Sequence, residues 1–204
     1  MEFNVAKCKI MHIGRNNTAQ KYTMFGEELT ETEEEKDVGV KVNRNLKPAN
    51  QCRAAAKAAQ TVLSQIGRSF HYRDRHVFVK LYKQYVRPHL EFSTPAWSPW
   101  TEADRACLED VQKRAIRMVS GLRAASYEGK LEELGLTTLT ERQHQTDMTQ
   151  VYKILHGQDR VSKMFKMSTE EDRVTRATAD PLNIRTPFAR LEVRKNFFTV
   201  RVGT

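Results

Sequence analysis

Lys113, Arg114 and Arg117 stand at offsets of one, three and four, so a helix would crowd three cations onto one side. Such a cluster is either a solvated face or a place where anions are met, and taken alone these residues fit both readings. Arg53 and Lys57, four apart, form a second group of the same kind. Residues 44–123 hold 15 Lys and Arg against 6 Asp and Glu, the whole of the net charge of +9, while the rest of the chain balances at 19 of each. A basic middle of this kind points to a polyanion partner.

Other chemistry is sparsely provided for. Cys8, Cys52 and Cys107 lie too far apart for the close cysteine pairs of a structural zinc site and look like small core residues. His71, His76 and His89 are isolated and read as surface or helix-end histidines. There is no Gly-rich phosphate loop and no adjacent pair of aspartates to hold two metal ions over a phosphoryl transfer. Asp180, Glu192 and Arg194 are too loosely spaced for a nuclease. The residues therefore show no catalytic site, and no cofactor and no small-molecule substrate are expected. With 39% hydrophobic residues the chain has no apolar run of membrane-spanning length, so no membrane partner is expected. Its opening residues lack a secretory pattern, and three scattered cysteines suit a reducing intracellular compartment, nucleus or cytoplasm.

The elements that must position the cations follow from periodicity. The fold class expected is mainly α with a small N-terminal β portion, short antiparallel strands followed by a helical bundle. Strands are expected at Lys9–Ile13, Tyr22–Phe25 and Val38–Val42, with Gly14, Asn16, Asn17 and Gly26 turning between them. Val38, Val40 and Val42 alternate with Gly39 and Lys41; Gly39 marks either a bulge or a backbone that a ligand can approach. Glu31 to Glu35 read as a solvated loop. A helix should start near Pro48, bury Cys52, Ala55, Ala59, Val62, Leu63 and Ile66, and stop near Gly67 and Arg68.

Asp74 caps the next helix, whose stripe is Val77, Phe78, Leu81, Tyr82, Tyr85 and Val86, with Lys80, Lys83 and Arg87 outside it. Pro88 should push Arg87 off helical angles and kink or restart the helix, beside an aromatic hub of Tyr85, Phe92, Trp97 and Trp100. Thr101 with Asp104 and Thr138 with Glu141 read as capping boxes. The first opens a helix lined by Leu108, Val111, Ala115, Met118 and Leu122 and stopped at Gly121. A short segment follows at Tyr127–Leu134. The second box opens a helix ending at Gly157, with Met148, Val151, Tyr152 and Leu155 packing only in its second half. Beyond Asp159 the period is lost; Asp180-Pro181 and Thr186-Pro187 break the chain, and Phe188 to Arg194 alternate weakly. The expected division is residues 1–45 (β), 46–157 (helical bundle) and 158–204 (loosely packed).

Six stretches carry a family resemblance in order. They are Phe3-Asn4-Val5-Ala6-Lys7-Cys8-Lys9-Ile10-Met11-His12-Ile13-Gly14, Lys36-Asp37-Val38-Gly39-Val40, and Leu81-Tyr82-Lys83 with Val86-Arg87-Pro88-His89-Leu90-Glu91-Phe92. Trp97-Ser98-Pro99, Val111-Gln112-Lys113-Arg114-Ala115 and Val193-Arg194-Lys195-Asn196-Phe197-Phe198 complete the set. Together, from about Glu2 to Val202, they resemble the C-terminal part of a LINE-type, non-LTR retrotransposon reverse transcriptase of the jockey or chicken-repeat-one kind. The resemblance implies that residues 1–45 are a remnant of the palm, with Val38, Gly39 and Val40 in a primer-grip-like turn, and that the helices after them are the thumb. It makes Lys47, Arg53, Lys57, Lys80, Lys83, Arg87, Lys113, Arg114 and Arg117 candidate nucleic-acid contacts, on an RNA–DNA or DNA duplex.

The parent family is an RNA-directed DNA polymerase that uses magnesium at catalytic aspartates. That motif would precede Met1, so the implied chain is a non-catalytic fragment, with an upstream polymerase part as a possible partner if one is encoded. A helical protein-interaction bundle, or a transposon remnant with no selected function, is the alternative expectation.

Overall fold

The computed structural model describes residues 3–14, 17–124, 126–159, 161, 164–167 and 184–203. Asn16 and the Asp180-Pro181 break lie outside these residues. The fold class is as read: mainly α, with small sheets ahead of the helices. No helix among the described residues is long and apolar enough to cross a membrane.

The N-terminal part is built from two-stranded pairs. After a 3-10 turn at Val5–Lys7, β1 (Lys9–Ile10) pairs in parallel with β4 (Thr30–Glu31), and β2 (Thr23–Met24) pairs antiparallel with β3 (Glu27–Glu28) across Phe25-Gly26. The strand expected at Lys9–Ile13 is thus only two residues long, and one pair is parallel. Cys8 precedes β1 and is only half-buried.

The acidic run corrects a second expectation. Glu34–Asp37 is a strand, β5, paired antiparallel with β6 (Val40–Asn43), and is no free loop. Its carboxylates find partners, which makes the strand tolerable: Lys9 Nζ reaches Glu35 at 2.6 Å and Lys41 Nζ reaches Glu34 at 2.8 Å. The Lys41 hydrogen bond, then that of Asn50, holds the Glu34 carboxyl below its ordinary pKa. Val38 and Gly39, expected inside a strand, form the hairpin turn instead. Both have positive φ, 43° and 88°, the signature of the turn whose twist matches paired strands. Val38 therefore projects into solvent, 86% exposed, while Val40 and Val42 remain half-buried.

The bundle begins with α1 (Ala49–Ser69), whose buried residues Cys52, Ala55, Ala56, Ala59, Leu63 and Ile66 follow the 3.6-residue period. The helix runs through Gly67. The residue is a contact point here, since a Cβ added to it would stand 2.7 Å from Met118 Cε.

Asp74 caps α2 (Arg75–Leu81) by accepting from the His76 and Val77 backbone N–H groups. Pro88 then behaves differently from the expectation. Tyr82–Val86 form a π turn, in which Arg87 N–H donates to Tyr82 O five residues back, and α3 (Arg87–Glu91) continues with Pro88 in its first turn. Arg87 keeps helical angles, φ −58° and ψ −38°. The wider π turn absorbs the missing N–H and the ring of the proline where an α-turn would break. The buried stripe is narrower than read: Phe78, Tyr82, Val86 and Leu90 are in the core, whereas Val77 and Tyr85 are about half exposed. Of the aromatic hub, Trp97 on α4 (Thr94–Trp97) is buried and donates to Phe92 O at 2.7 Å, while Phe92 itself is exposed.

Thr101 opens α5 (Glu102–Arg117) by accepting from Asp104 N–H and donating to the Asp104 carboxylate at 2.7 Å. Leu108, Val111, Ala115 and Ile116 pack inward with a buried Gln112. Helix α6 (Tyr127–Leu134) ends in left-handed Gly135 and leads to α7 (Leu139–Leu155), which carries the full Thr138–Glu141 capping box. The buried side of α7 is Leu139, Gln143, Asp147 and Val151, so its first half is packed; Met148 and Tyr152 face solvent.

After the short pair β7 (Lys166–Met167) and β8 (Ile184–Arg185), two single turns close the chain: α8 (Glu192–Lys195) and α9 (Phe198–Arg201). This end differs from the loose packing expected of residues 158–204. Phe198 and Val200 are buried, and Arg201 grips Asp147 of α7 at 2.8 and 2.9 Å and the Pro95 carbonyl at 3.0 Å.

Candidate nucleic-acid interface

Helices α1 and α5 lie side by side and run parallel. Cys52 near the start of α1 senses Asp104 and Cys107, Gln60 in the middle meets Arg114, and Gly67 near the end abuts Met118. At about 100° per residue, Arg53, Lys57, Gln60, Ser64 and Arg68 share the flank of α1 that borders α5. By the same rule Asp110, Arg114 and Arg117 share the facing flank of α5. The seam therefore gathers five cations, Arg53, Lys57, Arg68, Arg114 and Arg117, all exposed.

Acidic residues are few along it. Helix α1 contains no Asp or Glu, and those of α5 all precede Arg114. Arg114 and Arg117 occupy the last turn of α5, where the helix dipole favours positive charge. Arg114 is held by the Gln60 amide oxygen, which accepts from its Nε and Nη1 at 3.1 and 2.9 Å, and Arg53 is held by Asn50 and the Ala49 carbonyl. Neutral side chains thus orient both guanidinium groups, and Glu34, which Asn50 also holds, sets a carboxylate near Arg53. Electrostatics under the seam agree with its packing. Burial above all, then Asp104, pushes the Cys52 thiol up to about 12, and burial first raises that of Cys107.

The other candidates are placed elsewhere. Lys113 stands one turn before Arg117 at the outer edge of the seam, 3.5 Å from Asp110 and over the Tyr127 ring at 5.7 Å. Lys80 is exposed on α2; Lys83 Nζ points to the Gly135 carbonyl at 3.4 Å; Arg87 pairs with Glu91 at 3.6 Å. Glu91 also accepts from Nε and Nη2 of Arg142, so Arg87 belongs to an ion-pair network tying α3 to α7. Lys47 lies in the loop before α1. Val38, Gly39 and Val40 form the tip of the β5–β6 hairpin, with Gly39 against the Phe92 ring: a Cβ there would come 3.1 Å from Phe92 Cε1.

Arg68 was not singled out from sequence as a site residue. The helix was expected to stop near Gly67 and Arg68; its continuation to Ser69 keeps Arg68 in the helix, one turn beyond Ser64 on the basic flank.

Beneath these surfaces a buried network joins three helices. Gln112, 0% exposed, accepts from Tyr82 Oη at 2.5 Å and donates to Thr137 O at 2.9 Å and Tyr127 Oη at 3.1 Å. Glu109 accepts from Tyr127 Oη and from Leu139 N–H at 3.0 Å. Burial first raises the pKa of both tyrosines. No three His, Cys, Asp or Glu side chains converge in a metal-holding arrangement among the described residues. No family model, no curated protein and no solved structure matches the chain.

Proposed function

We propose that the chain holds nucleic acid by its phosphate backbone, without catalysing a reaction on it, in the manner of a non-LTR retrotransposon reverse-transcriptase thumb on primer–template duplex. The observation that carries this reading is the α1–α5 seam, where Arg53, Lys57, Arg68, Arg114 and Arg117 line up over two parallel helices. Five phosphates neutralised at about 0.9 each give a slope of log K against log salt of roughly −4.5, or about a 500-fold loss between ~50 and ~200 mM salt. The test is binding of an end-labelled RNA–DNA duplex across that range. Arg114→Glu with Arg117→Glu should flatten the slope to roughly −2.7 or less. Lys113→Glu, at a cation already paired with Asp110, should change it less. A slope that survives the double reversal, or wild-type binding insensitive to salt, overturns the reading.

One observation favours a second reading, a protein-interaction bundle: Tyr72, Val77, Tyr85 and Phe92 expose 79%, 52%, 56% and 54% of their surface on the segment from the α1–α2 loop to the end of α3. It calls for concentration-dependent self-association at high salt; a monomer at every concentration in sedimentation counts against it.

A further inference from the structure

The loop that joins α1 to α2 mixes rings with cations at one end of the basic seam. From Gly67 to His76 the chain carries Arg68, Phe70, His71, Tyr72, Arg73 and Arg75, with Asp74 the single acidic residue. The Asp74 carboxylate is already engaged in capping α2, and Arg75 pairs with Glu133 at 3.7 Å. Tyr72 is 79% exposed and Phe70 41%, with exposed His71 between them in the chain. The loop is held on two sides. Phe70 N–H donates to Ile66 O at 3.0 Å, Arg73 Nη2 donates to Gly67 O at 2.9 Å, and Ser120 N–H donates to Arg73 O at 3.0 Å. These bonds tie the loop to the end of α1, which carries Arg68, and to the residues just past the end of α5, which carries Arg117. Tyr72 therefore stands where the seam ends.

We infer that this loop is a stacking platform for unpaired bases, so that seam and loop together take a duplex that continues into a single strand. The inference rests on the reading of the seam as a phosphate grip and names the form of nucleic acid that fits it. A base inside a duplex has both faces covered by its neighbours in the stack; beyond the last pair a face comes free. An exposed tyrosine offers that face a ring, whatever the base. Arg68 and Arg117 at the seam's end supply positive charge for the phosphates of the strand that leaves it. Because backbone hydrogen bonds hold the loop beforehand, little order has to be created on binding. The excess of cations over one engaged carboxylate favours a polyanion here, whereas Val77, Tyr85 and Phe92 suit an apolar partner.

One labelled RNA–DNA duplex is prepared blunt, with a short thymidine extension on the 3′ or the 5′ side, and with the same extensions made of abasic sites. Each is titrated with the full chain by fluorescence anisotropy. A thymidine extension of one polarity should tighten binding about tenfold, the worth of about one stacked base, and the abasic form, which keeps the phosphates, should give little of this gain. Tyr72→Ala, at an exposed position, should remove the gain and leave blunt-duplex affinity unchanged, while Tyr72→Phe, which keeps the ring, should retain it. Blunt duplex bound with the expected salt slope but no gain from either extension overturns the inference and leaves the seam standing. A gain that the abasic extension matches, or that survives Tyr72→Ala, overturns it as well. Blunt-duplex binding that ignores salt removes the seam, and this inference with it. Self-association at high salt that Tyr72→Ala abolishes in sedimentation would give the ring to a protein partner and also overturn the inference.

Discussion

Replacing Gln112 by leucine preserves side-chain volume and removes four polar contacts at the centre of the bundle. The Tyr82 hydroxyl, on a residue 1% exposed, loses its acceptor, and the Thr137 carbonyl loses a donor; Tyr127 keeps Glu109. A buried group left without its partner costs about 1–3 kcal/mol, so two such groups put the loss for Gln112→Leu at roughly 3 kcal/mol. That is a large share of the ~5–15 kcal/mol that holds a typical domain together. Tyr82→Phe alone leaves the Gln112 oxygen without a donor and should cost about 1–2 kcal/mol. In the double variant neither orphan remains on that bond, so the two losses should fall short of additivity by about 1–2 kcal/mol. Urea unfolding followed by far-ultraviolet circular dichroism on the four proteins of this cycle measures the coupling. Additivity within about 0.5 kcal/mol would refute the argument that this hydrogen bond pins α5 to the π turn.

Three further outcomes follow from the same packing. Arg201→Ala should cost about 3 kcal/mol in the same unfolding assay, because it strands the Asp147 carboxylate against α7; Arg201→Ala combined with Asp147→Asn should recover part of it. Stability should fall at alkaline pH. Burial raises the folded pKa of Cys52 to about 12 and also raises those of Cys107, Tyr82 and Tyr127. The unfolded chain therefore releases these protons first, and the stabilisation present below pH ~9 is lost as pH rises toward 12, by up to ~1.4 kcal/mol per pH unit for each group. A midpoint in urea that is constant from pH 8 to 11 would contradict this, as would alkylation of Cys52 as fast as that of Cys8 in the native protein. Gly39→Ala should destabilise the hairpin by about 1–2 kcal/mol, since a side chain is strained at φ 88° and its Cβ meets the Phe92 ring; hydrogen exchange of the β5–β6 amides should accelerate, and unchanged rates would refute the contact.

Much of the bundle was legible because its signals are local. Caps at Asp74, Thr101 and Thr138 satisfy orphan N–H groups within three residues, and the stripes of α1 and α5 need only the helical period. The misreadings share a cause. Pro88 is a breaker by local rules, yet a π turn made it acceptable inside a helix. Glu34 and Glu35 looked like loop residues until Lys41 and Lys9, 7 and 26 positions away, arrived to pair with them.

The same division holds for function. Sequence alone determined the excess of positive charge in the helical middle, and the spacing that places Arg53 with Lys57 and Arg114 with Arg117 on single helix faces, because charge and helical phase are properties of a segment. Tertiary structure decided which faces meet. It joined those two pairs and Arg68 across one seam, set Lys113 over the Tyr127 ring, brought Arg142 of α7 to the Glu91 that Arg87 also meets, and folded the chain's end over Trp97 and Trp100. Such neighbours are many residues apart in the chain, and only the shared burial of apolar surface brings them together.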